Sequence, residues 1–198
     1  MIWYTSDQHY GHLNVIKYCS RPFATIGEMD EELIRRHNSV VKPEDVVCHL
    51  GDFSLNKRAP KEILPRLNGI HHLLAIGNHD WCHPVRHKNT QNLEKHRRMY
   101  YDAGFKTLSL SNRTVIAEKL VEQSHFPYYD PDPRFDQRYA DFRPKDEGLV
   151  LLHGHVHQHW KVKRSANGSL MINVGVDVWN FYPVSHEQIS VVIRHEIV

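Results

Sequence analysis

The chain has no apolar run approaching the ~20 residues needed to span a bilayer, no internal repeat and no low-complexity tract. Cysteine is scarce: the three present, Cys19, Cys48 and Cys82, lie far apart with no C-x-x-C pair. That excludes a disulfide framework and a zinc ribbon and leaves reduced, buried thiols. No basic segment followed by a long apolar stretch opens the chain, and Met1-Ile2-Trp3-Tyr4 reads as a first strand. The expectation is a cytoplasmic protein without a membrane anchor. Charge of either sign is nearly balanced, at 25 Lys and Arg against 23 Asp and Glu, so net charge announces neither a nucleic acid nor an acidic membrane. Hydrophobic residues at 40% and charged residues at 24% exclude a disordered or fibrous chain. The 198 residues suit one domain, residues 1–198, with a substantial core.

Strand and helix signals alternate through the first half. A strand over residues 1–5 leads through a polar turn to a helix at Leu13–Tyr18. Thr25-Ile26-Gly27-Glu28 has the spacing of a capping box and starts a second helix with apolar Met29, Leu33 and Ile34 on one face. Val46–Leu50 reads as a buried strand, Pro60–Leu67 as a helix with proline in its first turn, and Leu73–Ile76 as a third strand. Such alternation places early strands parallel, with chemistry at their carboxyl ends. Residues 83–101 read as a basic loop, then a helix from about Asn89. The second half reads as β-rich: strands at Thr107–Leu110, Val115–Leu120, Gln123–His125 and Leu149–Leu152, a hairpin about Asn167-Gly168, and a final strand at Ile189–Ile193. Residues 127–147, crowded with Pro, Asp, Arg and Tyr, show no period and read as a long ordered loop.

What the chain has in quantity is histidine, 17 residues, and part of it is arranged. Five polar clusters each follow a strand-like run: Asp7 and His9; Asp52; Asn78-His79-Asp80; His125; and His155 with His157. Imidazole nitrogens with carboxylate oxygens suit borderline divalent ions, whereas Mg and Ca prefer oxygen shells. Residues spaced i, i+2 at a strand end point to one side, so Asp7 and His9 can converge on one ion and His155 and His157 on adjacent ones. A ligand shared by two cations should be a carboxylate, for which Asp52 is the candidate. Asn78 makes sense where its amide oxygen completes a shell or meets a phosphate.

In this order, D-x-H, G-D, G-N-H-D, a lone H and G-H-x-H, the residues resemble the calcineurin-like metallophosphoesterase superfamily, from Asp7 to His157. Ser6–His12 and Arg21-Pro22-Phe23 resemble a subgroup of small bacterial and phage members known only as predicted phosphoesterases. The resemblance implies a four-layer α-β-β-α sandwich with two packed, mostly mixed β-sheets. It also implies two divalent transition metal ions, manganese first with Fe, Zn or Ni as alternatives: one on Asp7, His9, Asp52 and His157, the other on Asp52, Asn78, His125 and His155. Leu55 departs from the family, which often has an acidic or amide residue there. The implied reaction is hydrolysis of a phosphoric ester by a metal-bridging hydroxide, with His79 as acid or transition-state stabiliser and Asp80 orienting its ring.

Substrate contacts are expected from His12, Asn78 and His79. The expected partner is a small phosphodiester or phosphomonoester, nucleotide-like, with nucleic acid less favoured and no membrane. A nuclease or RNA-end phosphatase using the basic residues 83–98 is the alternative, and a non-catalytic interaction scaffold on the same fold is a further one. Outside the pattern, His153 reads as a packing or supporting residue and His49 as a hydrogen-bonded core residue. His37, His71, His72, His96, His186 and His195 read as surface. Tyr128, Tyr129 and Arg134 in the long loop are candidates to grip a nucleotide, with loop packing the alternative.

Overall fold

The computed structural model describes residues 1–131 and 136–197; Arg134 lies outside them. The first sheet holds β1 (Ile2–Thr5), β2 (Val46–His49), β3 (Ile70–Ala75), β4 (Thr107–Ser109) and β10 (Val184–Ser185), in the order β10-β1-β2-β3-β4. β1 to β4 run parallel and β10 joins antiparallel at the edge. The second holds β5 (Ser111–Ile116), β6 (Lys119–Ser124), β7 (Val150–His153), β8 (Val162–Arg164) and β9 (Leu170–Asn173), in the order β5-β6-β7-β9-β8. It is mixed: β6, β7 and β9 are mutually parallel, with β5 and β8 antiparallel at the edges.

The two sheets share a core in which Tyr4, Cys48, Leu50 and Leu73 meet Val121, Val150, Leu152, Leu170 and Ile172. On the far side of the first sheet pack α1 (Leu13–Tyr18), α2 (Ile26–Val40), α3 (Ala59–Ile63) and α4 (Thr90–Ala103), through Val15, Met29, Leu33, Leu64, Tyr100 and Phe105. The far side of the second sheet carries a smaller cluster of Tyr128, Leu151 and Met171 against Trp160. The expected α/β sandwich of two packed mixed sheets is what this chain builds. The three cysteines are free and buried, and among the described residues no helix is long and apolar enough to cross a membrane.

Local signals explain most elements. Thr25 Oγ1 accepts from Glu28 N at 3.1 Å to start α2, and Asn89 Oδ1 accepts from Asn92 N at 2.9 Å to start α4. Two expectations are corrected. Ile189–Ile193 is not a strand but lies in α5 (His186–Glu196), which begins with a capping box between Ser185 and Gln188 and sets Ile189 and Ile193 four apart in the core. Val115–Leu120 is not one strand but a hairpin tip: Ala117 (φ 50°) and Glu118 (φ 61°) form the two-residue turn joining β5 to β6. Positive φ at both turn residues matches the twist of the flanking strands.

The surface assignment of histidines is corrected too. His72 and His195 are exposed and His96 and His186 half-buried, but His37 and His71 are buried. With His49 they line the first sheet's helical side. Gln8 Nε2 lies 3.2 Å from His49 Nδ1, His49 Nε2 lies 3.1 Å from His71 Nδ1, and His37 Nε2 donates to the Asn68 carbonyl at 2.8 Å. Burial lowers His37 and His71 to about 4 and His49 well below the ordinary histidine value. Since the folded values lie below the unfolded one, this contribution to stability is complete above about pH 6.5 and is lost as pH falls toward 4. His37→Gln, which keeps a donor for Asn68 but cannot titrate in this range, should lose about 2 kcal/mol less than the parent between pH 7 and pH 5. Urea unfolding at the two pH values measures it, and an equal loss in both proteins would count against the assignment.

Candidate metal centre

The carboxyl ends of parallel strands from both sheets open onto one place. The segment after β1 lies along the one after β2, with Asp7 N donating to Gly51 O at 3.0 Å and His9 N to Asp52 O at 3.1 Å. The turn after β7 is tied across the seam, where His155 N donates to Asp7 Oδ2 at 3.0 Å. The turn after β3 is tied in turn by His79 N donating to Asp52 Oδ1 at 2.8 Å. Two glycines permit these approaches: a Cβ on Gly77 would overlap Asp52 Oδ1, and one on Gly154 would overlap Ser6 Oγ and Asp7 Oδ2.

Five of the seven expected ligands have left-handed backbones: Asp7 (φ 58°), His9 (55°), Asp52 (52°), His155 (71°) and His157 (47°). Each such residue costs on the order of 1–3 kcal/mol, and positions of this kind gather at functional sites. The geometry turns the side chains inward. Donor atoms of Asp7, His9 and His157 lie within 4.8 Å of one another, as do those of Asp7, Asp52 and His125. Asp52 Oδ2 stands 3.5 Å from His9 Nε2 and 3.4 Å from His125 Nε2, between the two groups. His9 Nε2, His125 Nε2 and Asn78 Oδ1 are buried without a hydrogen-bond partner, a costly arrangement for a fold that offers them nothing. These donors fit divalent metal ions.

His155 is placed differently. Its ring centre is 5.2 Å from that of His125, but its Nε2 faces Asp136, a carboxylate absent from the sequence pattern, at 2.9 Å. Around the mouth, the half-buried His79 and His12 rings lie 5.1 Å and 5.4 Å from that of His9 and 5.8 Å from each other. His79 Nδ1 has no partner.

The carboxylates of Asp7 and Asp52 dominate the electrostatics of the imidazoles around them. Burial alone would lower both His125 and His157. Asp52 instead raises His125 to about 9, and Asp7 with Asp177 raises His157 to about 11. Burial lowers His9 far below its ordinary value despite Asp52, and lowers His155 despite Asp136, so these two are neutral and hold the lone pairs a metal needs.

Asp80 does not orient His79. It is fully buried, and its carboxylate accepts from Asp52 N and Phe53 N at 3.0 Å each, Gly77 N at 2.9 Å and Ser54 N at 3.4 Å. The physical reason is reach: the side chain turns back under its own turn and binds the segment carrying Asp52 to the one carrying Asn78. His153 is a buried packing residue, its Nδ1 2.7 Å from the Gly154 carbonyl and its ring against Trp160.

Sequence reasoning missed Asp177. Arg21 meets it in a buried two-point pair, Nε to Oδ1 at 2.7 Å and Nη2 to Oδ2 at 2.9 Å, and Asp177 Oδ2 lies 3.0 Å from His157 Nδ1. Arg21 also donates to the carbonyls of Asp7 at 2.6 Å and Gln8 at 2.9 Å. One guanidinium thus fixes the backbone of the first cluster and, through Asp177, the ring of the last. The available signal was Asp177 itself, an acidic residue just beyond the strand-like Ser169–Val174 that follows the Asn167-Gly168 turn. His83 was read only as part of the basic segment. It is fully buried, its Nδ1 accepting from Val85 N at 3.1 Å and its ring meeting Phe142 at 4.6 Å.

No family model matches this chain. The uncharacterized protein MJ1445 of Methanocaldococcus jannaschii is 31% identical over 203 residues, spanning 98% of this chain and 91% of that protein. The gene 66 protein of Mycobacterium phage D29 is 33% identical over 187 residues, 90% of this chain and 89% of that protein. Among solved structures, the protein of unknown function AQ665 from Aquifex aeolicus matches with a TM-score of 0.66 at 25% identity, over 97% of this chain and 98% of its own. The phosphopantetheinyl hydrolase PptH of Mycobacterium tuberculosis matches with a TM-score of 0.45 at 13% identity, over 91% and 90%, a likeness too distant to carry its activity over.

Removing the Asp80 carboxylate strands four amide donors. Asp80→Ala should lower the unfolding free energy by roughly 3 kcal/mol or more. Urea denaturation is the measurement, and a variant of full stability with lost turnover alone would contradict the clasp.

Proposed function

The chain belongs to the family of MJ1445 and the phage gene 66 protein, and from the chemistry of the site we propose that it is a dinuclear-metal-dependent phosphoesterase acting on a small phosphorylated molecule. The observation that carries this reading is the buried cluster in which donor atoms of Asp7, His9 and His157, and of Asp7, Asp52 and His125, lie within 4.8 Å of one another, while His9 Nε2, His125 Nε2 and Asn78 Oδ1 make no hydrogen bond. Asp7, His9, Asp52 and His157 would hold one ion, and Asp52, Asn78, His125 and His155 the other, with Asp52 shared. The mix of imidazole and carboxylate favours manganese or another transition ion over magnesium. Bound there, the ions supply Lewis acidity and bring the ionisation of water near neutral pH.

The chain's own groups do the rest. His12 and His79 flank the mouth, where a phosphoryl oxygen would meet them. The His79 imidazole, with no partner at Nδ1, is free to deliver a proton to the departing alkoxide, which helps diesters and monoesters alike. Asn78, its carbonyl held by Arg86 Nη1 at 3.2 Å, presents its amide to metal or phosphate. The basic segment lends less to a polyanion: Arg97 and Arg98 pair with Glu94 and Asp102, and His83 is buried.

The test is manganese-stimulated release of p-nitrophenolate from the bis-ester and mono-ester of phosphate, with Asp52→Asn as the blank. Turnover above the blank is expected, and the preferred ester assigns diesterase or monoesterase. His79→Ala should lose at least about 100-fold in turnover while keeping its metal. No turnover by the parent on either ester would move the weight to the scaffold reading, and full turnover in His79→Ala would remove that residue's role.

A further inference from the structure

Three imidazoles of the centre are each held through one nitrogen by an oxygen outside it. Leu50 O lies 2.9 Å from His125 Nδ1, Asp177 Oδ2 lies 3.0 Å from His157 Nδ1, and Asp136 Oδ2 lies 2.9 Å from His155 Nε2. An acceptor opposite one ring nitrogen of a neutral imidazole makes that nitrogen the N–H and leaves the lone pair on the other. In the neutral form that binds a metal, His125 and His157 therefore present Nε2, whereas His155 presents Nδ1.

Asp136 comes from the aperiodic segment between β6 and β7, and that segment holds it in place. Arg138 donates to Oδ1 from its amide and its Nε, each at 2.9 Å, and to Oδ2 from Nη2 at 3.2 Å. Arg143, its side chain 3% exposed, donates to the Asp136 carbonyl at 2.8 Å and to the Pro127 carbonyl at 3.2 Å, joining the two ends of the segment. Tyr139, with a left-handed backbone at φ 60°, stacks on Phe126 at 5.2 Å and meets the His155 ring edge-on at 6.0 Å.

We propose that Asp136 is a positioning residue of the metal centre, holding His155 in the Nε2–H tautomer so that Nδ1 is its donor to the ion shared with Asp52, Asn78 and His125. This rests on the dinuclear reading above and extends it: the segment after β6 is part of the site's construction. The pair mirrors Asp177 and His157 on the other ion, with the two ring nitrogens exchanged. Loss of a carboxylate in this role lowers metal affinity by about 10–100-fold.

The experiment is a Mn²⁺ titration of the full chain followed by the paramagnetic resonance of free Mn²⁺, on the parent, Asp136→Ala and Asp136→Asn. The parent should bind two ions. Asp136→Ala should lose about 10–100-fold in affinity for one ion and keep the other, and Asp136→Asn, whose amide oxygen accepts the same N–H, should recover most of the loss. Two-ion binding in Asp136→Ala that is unchanged or tighter would overturn the proposal alone. So would a loss that Asn does not repair, since it assigns the effect to the segment's folding. A parent that binds no ion would overturn the dinuclear reading and this one with it.

Discussion

Burial of Asp7 and Asp52 at the seam between two sheets is the constraint on which the rest of the structure depends. Both are essentially inaccessible, and two carboxylates in the interior need compensation within a few ångströms. The amides of His155 and His79 and the imidazoles of His125 and His157 supply part of it. Since imidazole nitrogens can ligate a metal, a proton and a bound metal would compete for the same atoms. The negative charge that sustains His125 and His157 in their protonated forms is the charge a divalent ion would offset.

Everything near the seam serves to hold those groups in place. The left-handed backbones at five donor positions are unfavourable one by one and persist because their surroundings determine them. Asp80 ties the amides beneath Asp52. Arg21 spans the first and last clusters through Asp177. The glycines at 77 and 154 leave the room that the two carboxylates occupy. The polar groups of the site sit at the ends of the strands, as the parallel α/β arrangement favours.

The convergence of Asp7, His9, Asp52, His125 and His157 was legible because each follows an apolar strand, and strand ends in such sheets converge. Asp177 and Asp136 were not, since their partners lie 156, 20 and 19 residues away in sequence and no local pattern marks a side-chain pair of that kind. Asp80 was misjudged because adjacency to His79 in sequence does not give adjacency of side chains. The β5–β6 turn was hidden by its residues, Ala117 and Glu118, neither of which ordinarily signals positive φ. Helix α5 was read as a strand from its β-branched run, although Ser185 and Gln188 carried the spacing of a capping box. His37 and His71 were assigned to the surface by residue type, while their places on α2 and β3 turn them inward.

Diffraction from crystals soaked in Mn²⁺, collected where manganese scatters anomalously, tests the central claim most directly. The account predicts two anomalous peaks on either side of Asp52, one among Asp7, His9 and His157 and one beside Asn78, His125 and His155. A fully soaked crystal with no peak at the seam, or with its manganese held elsewhere on the molecule, would contradict it.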